Sequence, residues 1–340
     1  MNNSINKLKE YKQSGQTFCP YLFLHYHLDT DKATKVCCHA TSSINGGTIE
    51  FDSSIYNNLR KKILNNEPLS FCNRCYEAEE QGFTSLRQRC IDDVVTSNKE
   101  DLLVDQFEKI QAGTRIQPYW YDLRISNNCN LSCVMCGPQY SSTWAKQLNE
   151  EAAHLLYEPD VNISADTYKI QLAGGEPFMI KKFARMLSEI SNTDCQIIVN
   201  TNATIVTKPL LDQLKRFKSV SIVVSIDGYS ELNDQIRRGS NWKTVVKNIK
   251  MFMELGFNVL VNTVLQRDNI NHLDQLGIFL ESIGISDWII SPLFTPENLQ
   301  WKQQKNIIYK KIEKTLELHS VKRNENSSTL LQHILKEQPQ

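Results

Sequence analysis

The sequence predicts an α/β fold built from parallel strands, with a small cysteine-rich module before it and helices after it. Three observations lead to this prediction. Strand and helix patterns alternate between residues 120 and 294, cysteines cluster before residue 91, and no strand pattern follows residue 295. Strands that alternate with single helices imply right-handed crossovers and therefore a parallel sheet. The pattern leaves open whether this sheet is open or curled into a barrel.

Each element follows from its own local pattern. Apolar and β-branched runs bounded by turn residues predict six strands, at residues 121–126, 168–174, 196–202, 220–228, 258–265 and 287–294. Apolar residues spaced three and four apart predict the intervening helices, at residues 143–156, 180–190, 209–217, 242–255 and 273–283. A further amphipathic helix is predicted at residues 301–318. We therefore divide the chain into a cysteine-rich module (1–115), a βα region (116–296) and a helical extension (297–340).

Composition and charge exclude several classes of protein. With 41% hydrophobic and 22% charged residues, the chain is neither collagen-like nor wholly disordered. Basic and acidic residues number 38 each, so no global charge favours nucleic acid or an anionic membrane as a partner. The N-terminus is polar, and no stretch approaches the roughly 18 apolar residues of a membrane span. We expect a cytoplasmic protein, in which ten clustered cysteines indicate metal binding more than disulfides.

The strongest chemical signal is a group of three cysteines directly after the first predicted βα strand. Cys129, Cys133 and Cys136 have the spacing C-x3-C-x2-C, at the strand end where parallel α/β folds keep their functional residues. Three thiolates can hold three corners of a cubane iron–sulfur cluster and leave the fourth iron open to another ligand. A structural zinc site would favour a closed set of four ligands, usually in two separated pairs.

A glycine-rich turn follows the second predicted strand, and its residues are Gly174, Gly175, Glu176 and Pro177. Two glycines let the backbone approach a ligand closely. Together with the cysteine spacing, this turn resembles the GGEP motif of the radical S-adenosylmethionine (SAM) superfamily. The resemblance covers about residues 119–295 and implies a partial (β/α)6 barrel, a 4Fe–4S cluster held by the three cysteines, and SAM bound to the open iron. Met135 departs from the aromatic residue that often precedes the third cysteine in the family.

Polar residues also close the later strands, where a buried strand would be apolar, and they are Asn200, Asn202, Ser225, Asp227 and Asn262. Polar side chains at successive carboxyl ends of parallel strands converge on one pocket. The resemblance implies that the turn of Gly174, Gly175, Glu176 and Pro177 receives the SAM amino group, and that Ser225 and Asp227 contact the ribose or carboxylate of SAM. It also implies that Arg237 binds the carboxylate. Cys195 begins a strand and is expected to be a buried small hydrophobic residue.

A second set of cysteines precedes the βα region: Cys19, the adjacent Cys37 and Cys38, and the C-x2-C pair Cys72 and Cys75. Four separated thiolates suit zinc or a fully ligated 4Fe–4S cluster, and His39 is a further candidate ligand for zinc. The pattern resembles the auxiliary-cluster segments of SPASM and twitch modules. We expect Cys19, Cys37, Cys72 and Cys75 to be the ligands, with Cys38 as the substitute for Cys37. Short strands and cysteine-bearing turns are expected around them, and Cys90 is unassigned.

The resemblance implies a radical SAM enzyme. Reductive cleavage of SAM at the first cluster would generate a 5′-deoxyadenosyl radical that abstracts hydrogen from a substrate. The expected electron donor is a flavodoxin or a ferredoxin. A peptide is the first substrate hypothesis, and a small molecule such as a sugar or nucleoside derivative is the second. A non-catalytic iron–sulfur or zinc-binding protein is the alternative of another class.

Overall fold

A computed structural model describes residues 2–80, 82, 84–149, 161, 163–292 and 322–323. The chain divides into two compact units. Residues 1–125 and 159–171 form the first unit, and residues 126–158 and 172–340 belong to the second. The domain limits predicted at residues 115 and 296 stay a prediction.

The first unit is mainly helical in its described part. Its elements are α1 (Asn2–Tyr11), α2 (Tyr21–Leu24), β1 (His25–Leu28), β2 (Thr34–Lys35), α3 (Ser54–Leu64), a 3-10 turn (Ser70–Cys72), α4 (Asn73–Glu80), α5 (Leu86–Thr96), α6 (Glu100–Gln111), β3 (Trp120–Leu123) and all but the last residue of β4 (Lys169–Leu172). Strand β1 pairs in parallel with β3 and antiparallel with β2. The unit is more helical than expected, because Ser53 and Ser85 cap two helices that the cysteine pattern alone did not indicate.

The second unit contains the regular βα repeat. Its elements are α7 (Ser142–Gln147), a 3-10 turn (Pro177–Met179), α8 (Lys181–Glu189), β5 (Gln196–Thr201), α9 (Lys208–Leu214), β6 (Ser219–Ser225), α10 (Glu231–Ile236), α11 (Trp242–Glu254), β7 (Asn258–Leu265), α12 (Leu273–Ser282), β8 (Asp287–Pro292) and β9 (Lys322–Arg323). Strands β5 to β8 are parallel neighbours in chain order, and β9 pairs in parallel with β8. Buried and half-buried residues alternate along β5 and β7, so one face of these strands is more accessible than the other.

The predicted fold class is confirmed. All six predicted strands are present as β3 to β8, and the α/β architecture of parallel strands and interleaved helices is that of the predicted partial barrel. The five predicted helices correspond to α7, α8, α9, α11 and α12, with ends that differ by a few residues. Most of the predicted continuation of α7 and the predicted helix at 301–318 lie outside the described residues. Among the described residues, no helix is both long enough and apolar enough to cross a membrane.

Candidate active site

The three-cysteine loop is held by the first turn of α7, in the second unit. Ser142 Oγ lies 3.1 Å from both the backbone nitrogen and the carbonyl oxygen of Cys129, and the Thr143 hydroxyl donates to the same carbonyl at 2.7 Å. The Trp144 indole N–H donates to the carbonyl of Cys133 at 2.7 Å. These side chains satisfy backbone groups that a loop would otherwise leave unpaired. Hydrogen bonds from α7 therefore fix the backbone of the loop at Cys129 and at Cys133.

The thiols of Cys129, Cys133 and Cys136 are close enough to influence one another electrostatically. Burial raises the pKa of Cys129 to about 12 and that of Cys136 to about 11, and it also raises the pKa of Cys133. Each thiol is therefore protonated at neutral pH when no metal is bound. A cationic metal centre reverses this preference, because the thiolate is the form that binds metal.

Two buried polar side chains are directed at the sulfurs of this loop. Asn202 Nδ2 lies 3.9 Å from Cys129 Sγ, and Arg237 Nη1 lies 3.9 Å from Cys133 Sγ. Arg237 also pairs with the fully buried Asp227, with 2.8 Å between Nη2 and Oδ2. Burial opposes the charge on Arg237, but Asp227 and the cysteine thiols raise the pKa of the guanidinium, so it stays charged. Donors of this kind suit sulfurs that become thiolate ligands of a cluster.

The Gly-Gly-Glu-Pro turn packs directly on the start of the cysteine loop. The backbone nitrogens of Gly175 and Glu176 donate to the carbonyls of Ser126 and Asn128, both at 2.8 Å. A Cβ atom at Gly175 would lie 2.3 Å from the carbonyl oxygen of Asn128, so only glycine fits there. Gly174 has φ of +112°, which also favours glycine. The turn therefore fixes the loop, in addition to any role toward a ligand.

Glu176 is fully buried, and protein groups occupy both of its carboxylate oxygens. Oε1 accepts from the Phe178 backbone at 3.1 Å and from the Thr201 hydroxyl at 2.7 Å. Oε2 accepts from the backbone of Asn202 at 2.8 Å. Burial raises the pKa of this carboxyl to about 7 in spite of these donors. Glu176 thus connects the turn to the end of β5, which the sequence did not indicate.

The remaining predicted residues lie on or after the strands of the second unit. Asn200, Ser225 and Asn262 are half-buried, and Ser225 is paired with Asn262 in the β6–β7 register. The Ser291 hydroxyl donates to Asn262 Oδ1 at 2.9 Å. These side chains form a polar end to the more accessible face of the sheet. They are suitable for contact with a polar ligand.

The sequence interpretation missed several residues that shape this site. Asn130 accepts from Asn202 at 3.1 Å and donates to the Thr204 hydroxyl at 2.9 Å. The Thr201 hydroxyl donates to the Glu176 carboxylate, and the Trp144 indole N–H donates to the Cys133 carbonyl. The position of Asn130 inside the cysteine spacing was an available signal. Nothing in the pattern around Thr204 distinguished it from an ordinary turn residue.

A second candidate metal centre lies in the first unit. Cys19, Cys37, Cys72 and Cys75 line one small cavity. Burial raises the pKa of all four thiols, to about 12 in Cys72. His39 lines the same cavity, and burial lowers its pKa to about 4, so it is a neutral imidazole. The four candidate thiols therefore lie around one cavity.

The two adjacent cysteines point in different directions. Cys37 is buried and lines the cavity. Cys38 is exposed and does not line the cavity. This difference favours Cys37 as the fourth ligand. Cys90 is buried and does not line the cavity, and Cys195 is fully buried, as expected of a small hydrophobic residue.

Comparison with known families gives a match to the central part of the chain. Residues 123–279 match the Radical SAM superfamily. This part of the chain is therefore a radical SAM domain, and the cofactors of that superfamily are a 4Fe–4S cluster and SAM. The three thiols of the cysteine loop and the donors directed at their sulfurs fit such a cluster.

Several relatives are similar over part of their length. GTP 3′,8-cyclase of Haemophilus influenzae (strain 86-028NP) is 31% identical, over 50% of this chain and 49% of the cyclase. The sporulation killing factor maturation protein SkfB of Bacillus subtilis is 26% identical, over 45% of this chain and 37% of SkfB. Streptococcus suis SuiB superposes with a TM-score of 0.44 at 14% identity, over 87% of this chain and 69% of SuiB. The chain spans about half the length of the curated relatives it matches.

Proposed function

We propose that this chain is a radical SAM enzyme whose catalytic cluster is held by Cys129, Cys133 and Cys136. The observation that carries the proposal is that one fixed loop presents three thiols while Asn202 and Arg237 are directed at two of the sulfurs. When bound, the cluster and SAM supply a 5′-deoxyadenosyl radical through reductive cleavage of SAM, and the radical abstracts hydrogen from the substrate. The protein orients the ligands and keeps water from the thiols.

We assign the SAM pocket to two groups of residues. The first group of proposed contacts is the turn of Gly174, Gly175, Glu176 and Pro177. The second group comprises the polar residues at the strand ends, which are Asn200, Asn202, Ser225 and Asn262. The assignment is supported by the hydrogen bonds that fix the turn beside the cysteine loop, and by the half-buried polar residues at the ends of β5 to β7. Asp227 and Arg237 pair with each other, so we propose that Asp227 acts through Arg237.

We further propose an auxiliary 4Fe–4S cluster bound by Cys19, Cys37, Cys72 and Cys75. A set of four thiols closes the coordination of a cubane cluster, so the protein side of this site suits electron transfer more than substrate binding. Zinc is the alternative occupant, because the same four thiols suit a tetrahedral ion. The proposed donor of electrons to the protein is a flavodoxin or a ferredoxin.

A peptide is the proposed substrate class. The support is the similarity to SkfB, which is named as a maturation protein. A nucleotide is the second candidate, because several of the similar proteins are GTP 3′,8-cyclases. Incubation of the reconstituted enzyme with short peptides encoded beside its gene, and separately with nucleoside triphosphates, distinguishes the two. The substrate class is the one whose addition makes the enzyme consume SAM and whose own mass changes in the reaction.

Iron counting tests the cluster assignments. The full chain is reconstituted anaerobically with iron and sulfide, as wild type and as the Cys129→Ala/Cys133→Ala/Cys136→Ala variant. We expect about eight irons per chain in wild type and about four in the variant, with 5′-deoxyadenosine formation abolished. Cys195→Ala is the control and should keep both values. About four irons in wild type and none in the variant would assign the N-terminal cysteines to zinc or to no metal. Absence of SAM cleavage in wild type would support the non-catalytic alternative.

A further inference from the structure

Two histidines and an aspartate form a buried cluster in the first unit, and none of the three lines the cavity of the N-terminal cysteines. His25 and His27 lie on β1, and Asp122 lies on β3, directly opposite His27 in the parallel register. Each of the three residues is at most 2% exposed. One potential ligand atom from each lies within 4.8 Å of the others. Such a concentration of polar side chains within paired strands is costly unless the groups are partnered.

The hydrogen bonds of the cluster define the state of each imidazole ring. His25 Nδ1 lies 3.1 Å from the carbonyl oxygen of Val36. A carbonyl only accepts, so Nδ1 carries the proton and Nε2 keeps its lone pair. His27 Nδ1 lies 2.8 Å from Asp122 Oδ2. The buried Nε2 of His27 has no hydrogen-bond partner among the residues that the structure describes, and it lies 3.9 Å from Asp29 Oδ2.

This arrangement matches the surroundings of metal-binding histidines. The 2.8 Å between His27 Nδ1 and Asp122 Oδ2 is a hydrogen-bond distance, and a tetrahedral ion with bonds of about 2.1 Å would move these two atoms apart to about 3.4 Å. Histidine ligands usually direct their other ring nitrogen to a carbonyl or a carboxylate. Here the outer nitrogens of His25 and His27 face the Val36 carbonyl and the Asp29 carboxylate.

We propose that His25 Nε2, His27 Nδ1 and Asp122 Oδ2 bind one divalent transition-metal ion of the zinc or ferrous class. Two imidazoles and one carboxylate are the ligand set that such ions favour. Burial also lowers the pKa of His25 to about 3, so this ligand is neutral at physiological pH. A salt bridge between protonated His27 and Asp122 is the competing interpretation. In that case His25 keeps its hydrogen bond to the Val36 carbonyl and its ring contacts with Tyr21 and Trp120.

The surrounding charges are compatible with a cation. Asp29 pairs with Lys35. Arg124 lies 3.4 Å from Asp122 Oδ1 through Nε and 3.5 Å from Asp122 Oδ2 through Nη2. These two cations balance the two carboxylates, and the ion adds its charge to neutral imidazoles. Binding releases the proton shared by His27 and Asp122, so the affinity for the ion rises with pH.

Zinc counting on the cluster-loaded full chain tests the proposal. Reconstitution first fills the cysteine sites with iron, excess metal is removed, and zinc is then added. We expect about one zinc per chain in wild type and background zinc in His25→Gln and Asp122→Asn. His272→Gln, at an exposed histidine before α12, is the matched control and should retain the wild-type value. Equal zinc in wild type and both site variants, or none in wild type, would overturn the proposal.

Cobalt provides a readout that does not depend on variants that fold poorly. Added to the cluster-loaded wild type in place of zinc, Co²⁺ at nitrogen and oxygen ligands shows visible d–d bands without the intense thiolate-to-cobalt charge-transfer bands of a cysteine site. The d–d bands alone support the proposal. Charge-transfer bands from thiolate, or no bound cobalt, contradict it. The test does not depend on SAM cleavage, so it can fail while the proposed function holds.

Discussion

At the scale of single residues, Arg237 connects most of the proposed cluster site. It is buried, pairs with Asp227, and places a donor 3.9 Å from Cys133 Sγ. A positive donor beside a thiolate stabilises the cluster state with more negative charge, which is the reduced state. Arg237 should therefore raise the reduction potential of the cluster held by Cys129, Cys133 and Cys136.

We predict that Arg237→Gln lowers this reduction potential by on the order of 50 mV, the equivalent of a roughly tenfold change in a one-electron equilibrium. An anaerobic redox titration followed by electron paramagnetic resonance measures it, in a background where the N-terminal cysteines are replaced. Arg238→Gln removes the exposed neighbouring charge and is the control. An unchanged potential with a raised KM for SAM would instead make Arg237 a ligand of the SAM carboxylate.

Cys37 and Cys38 are a second case in which single residues decide the chemistry. Only Cys37 lines the cavity with Cys19, Cys72 and Cys75. We predict that Cys37→Ala loses about four irons per reconstituted chain, whereas Cys38→Ala loses none. Iron and sulfide analysis of both variants measures this, and each is the control for the other. Iron loss in Cys38→Ala alone would reverse the assignment.

At the scale of elements, a buried ion pair fixes the helices that carry the N-terminal cysteines. Glu79, on α4, pairs with Arg87, on α5, through contacts of 2.9 and 2.5 Å. The Ser85 hydroxyl donates to the same carboxylate, and Arg87 also donates to the Phe18 carbonyl, next to Cys19, at 3.0 Å. The pair therefore joins Cys19 to the helix that contains Cys75.

We predict that Arg87→Gln costs about 3–5 kcal/mol in the free energy of unfolding, because it leaves the Glu79 carboxylate buried without its partner. Urea unfolding of the metal-free chain measures the loss. The Glu79→Gln/Arg87→Gln double variant should be less destabilised than Arg87→Gln alone, since no unpaired charge remains. Lys208→Ala breaks an exposed ion pair with Asp212 and should change stability by about 0.5 kcal/mol or less. A double variant as unstable as the single one would contradict this account.

Elements also show how far the sequence predicts the structure. Strand β7 has the predicted limits, because its period of two and its turn residues are both local. The predicted strand at 220–228 ends instead at Ser225, since Asp227 leaves the sheet to pair with Arg237. The spacing of the cysteines is also a local pattern, so it could be read from the sequence. The hydrogen bonds of Glu176 come from Thr201 and Asn202, which are distant in sequence, so they could not. The choice between Cys37 and Cys38 depends on side-chain direction, which spacing alone does not give.

At the scale of the whole molecule, both cysteine sets share one electrostatic property. In each compact unit, burial raises the pKa of the candidate ligand thiols above neutrality. Every thiol that binds metal must therefore release a proton. Metal affinity at both sites should rise with pH as long as the pH stays below those pKa values.

We predict that metal affinity depends more steeply on pH at the N-terminal site than at the three-cysteine loop. Four thiols lose protons when the N-terminal site binds metal, and three do so at the loop. Each thiol contributes about a tenfold gain in affinity per pH unit, so the two slopes should differ by about one. Iron retention against a chelator between pH 6.5 and 8.5 measures the slopes. Two variants isolate the sites, one with the 129, 133 and 136 cysteines replaced by alanine and one with the 19, 37, 72 and 75 cysteines replaced. Equal slopes would mean that one of the four N-terminal thiols is not a ligand, and slopes of zero would mean that the thiols are already ionised without metal.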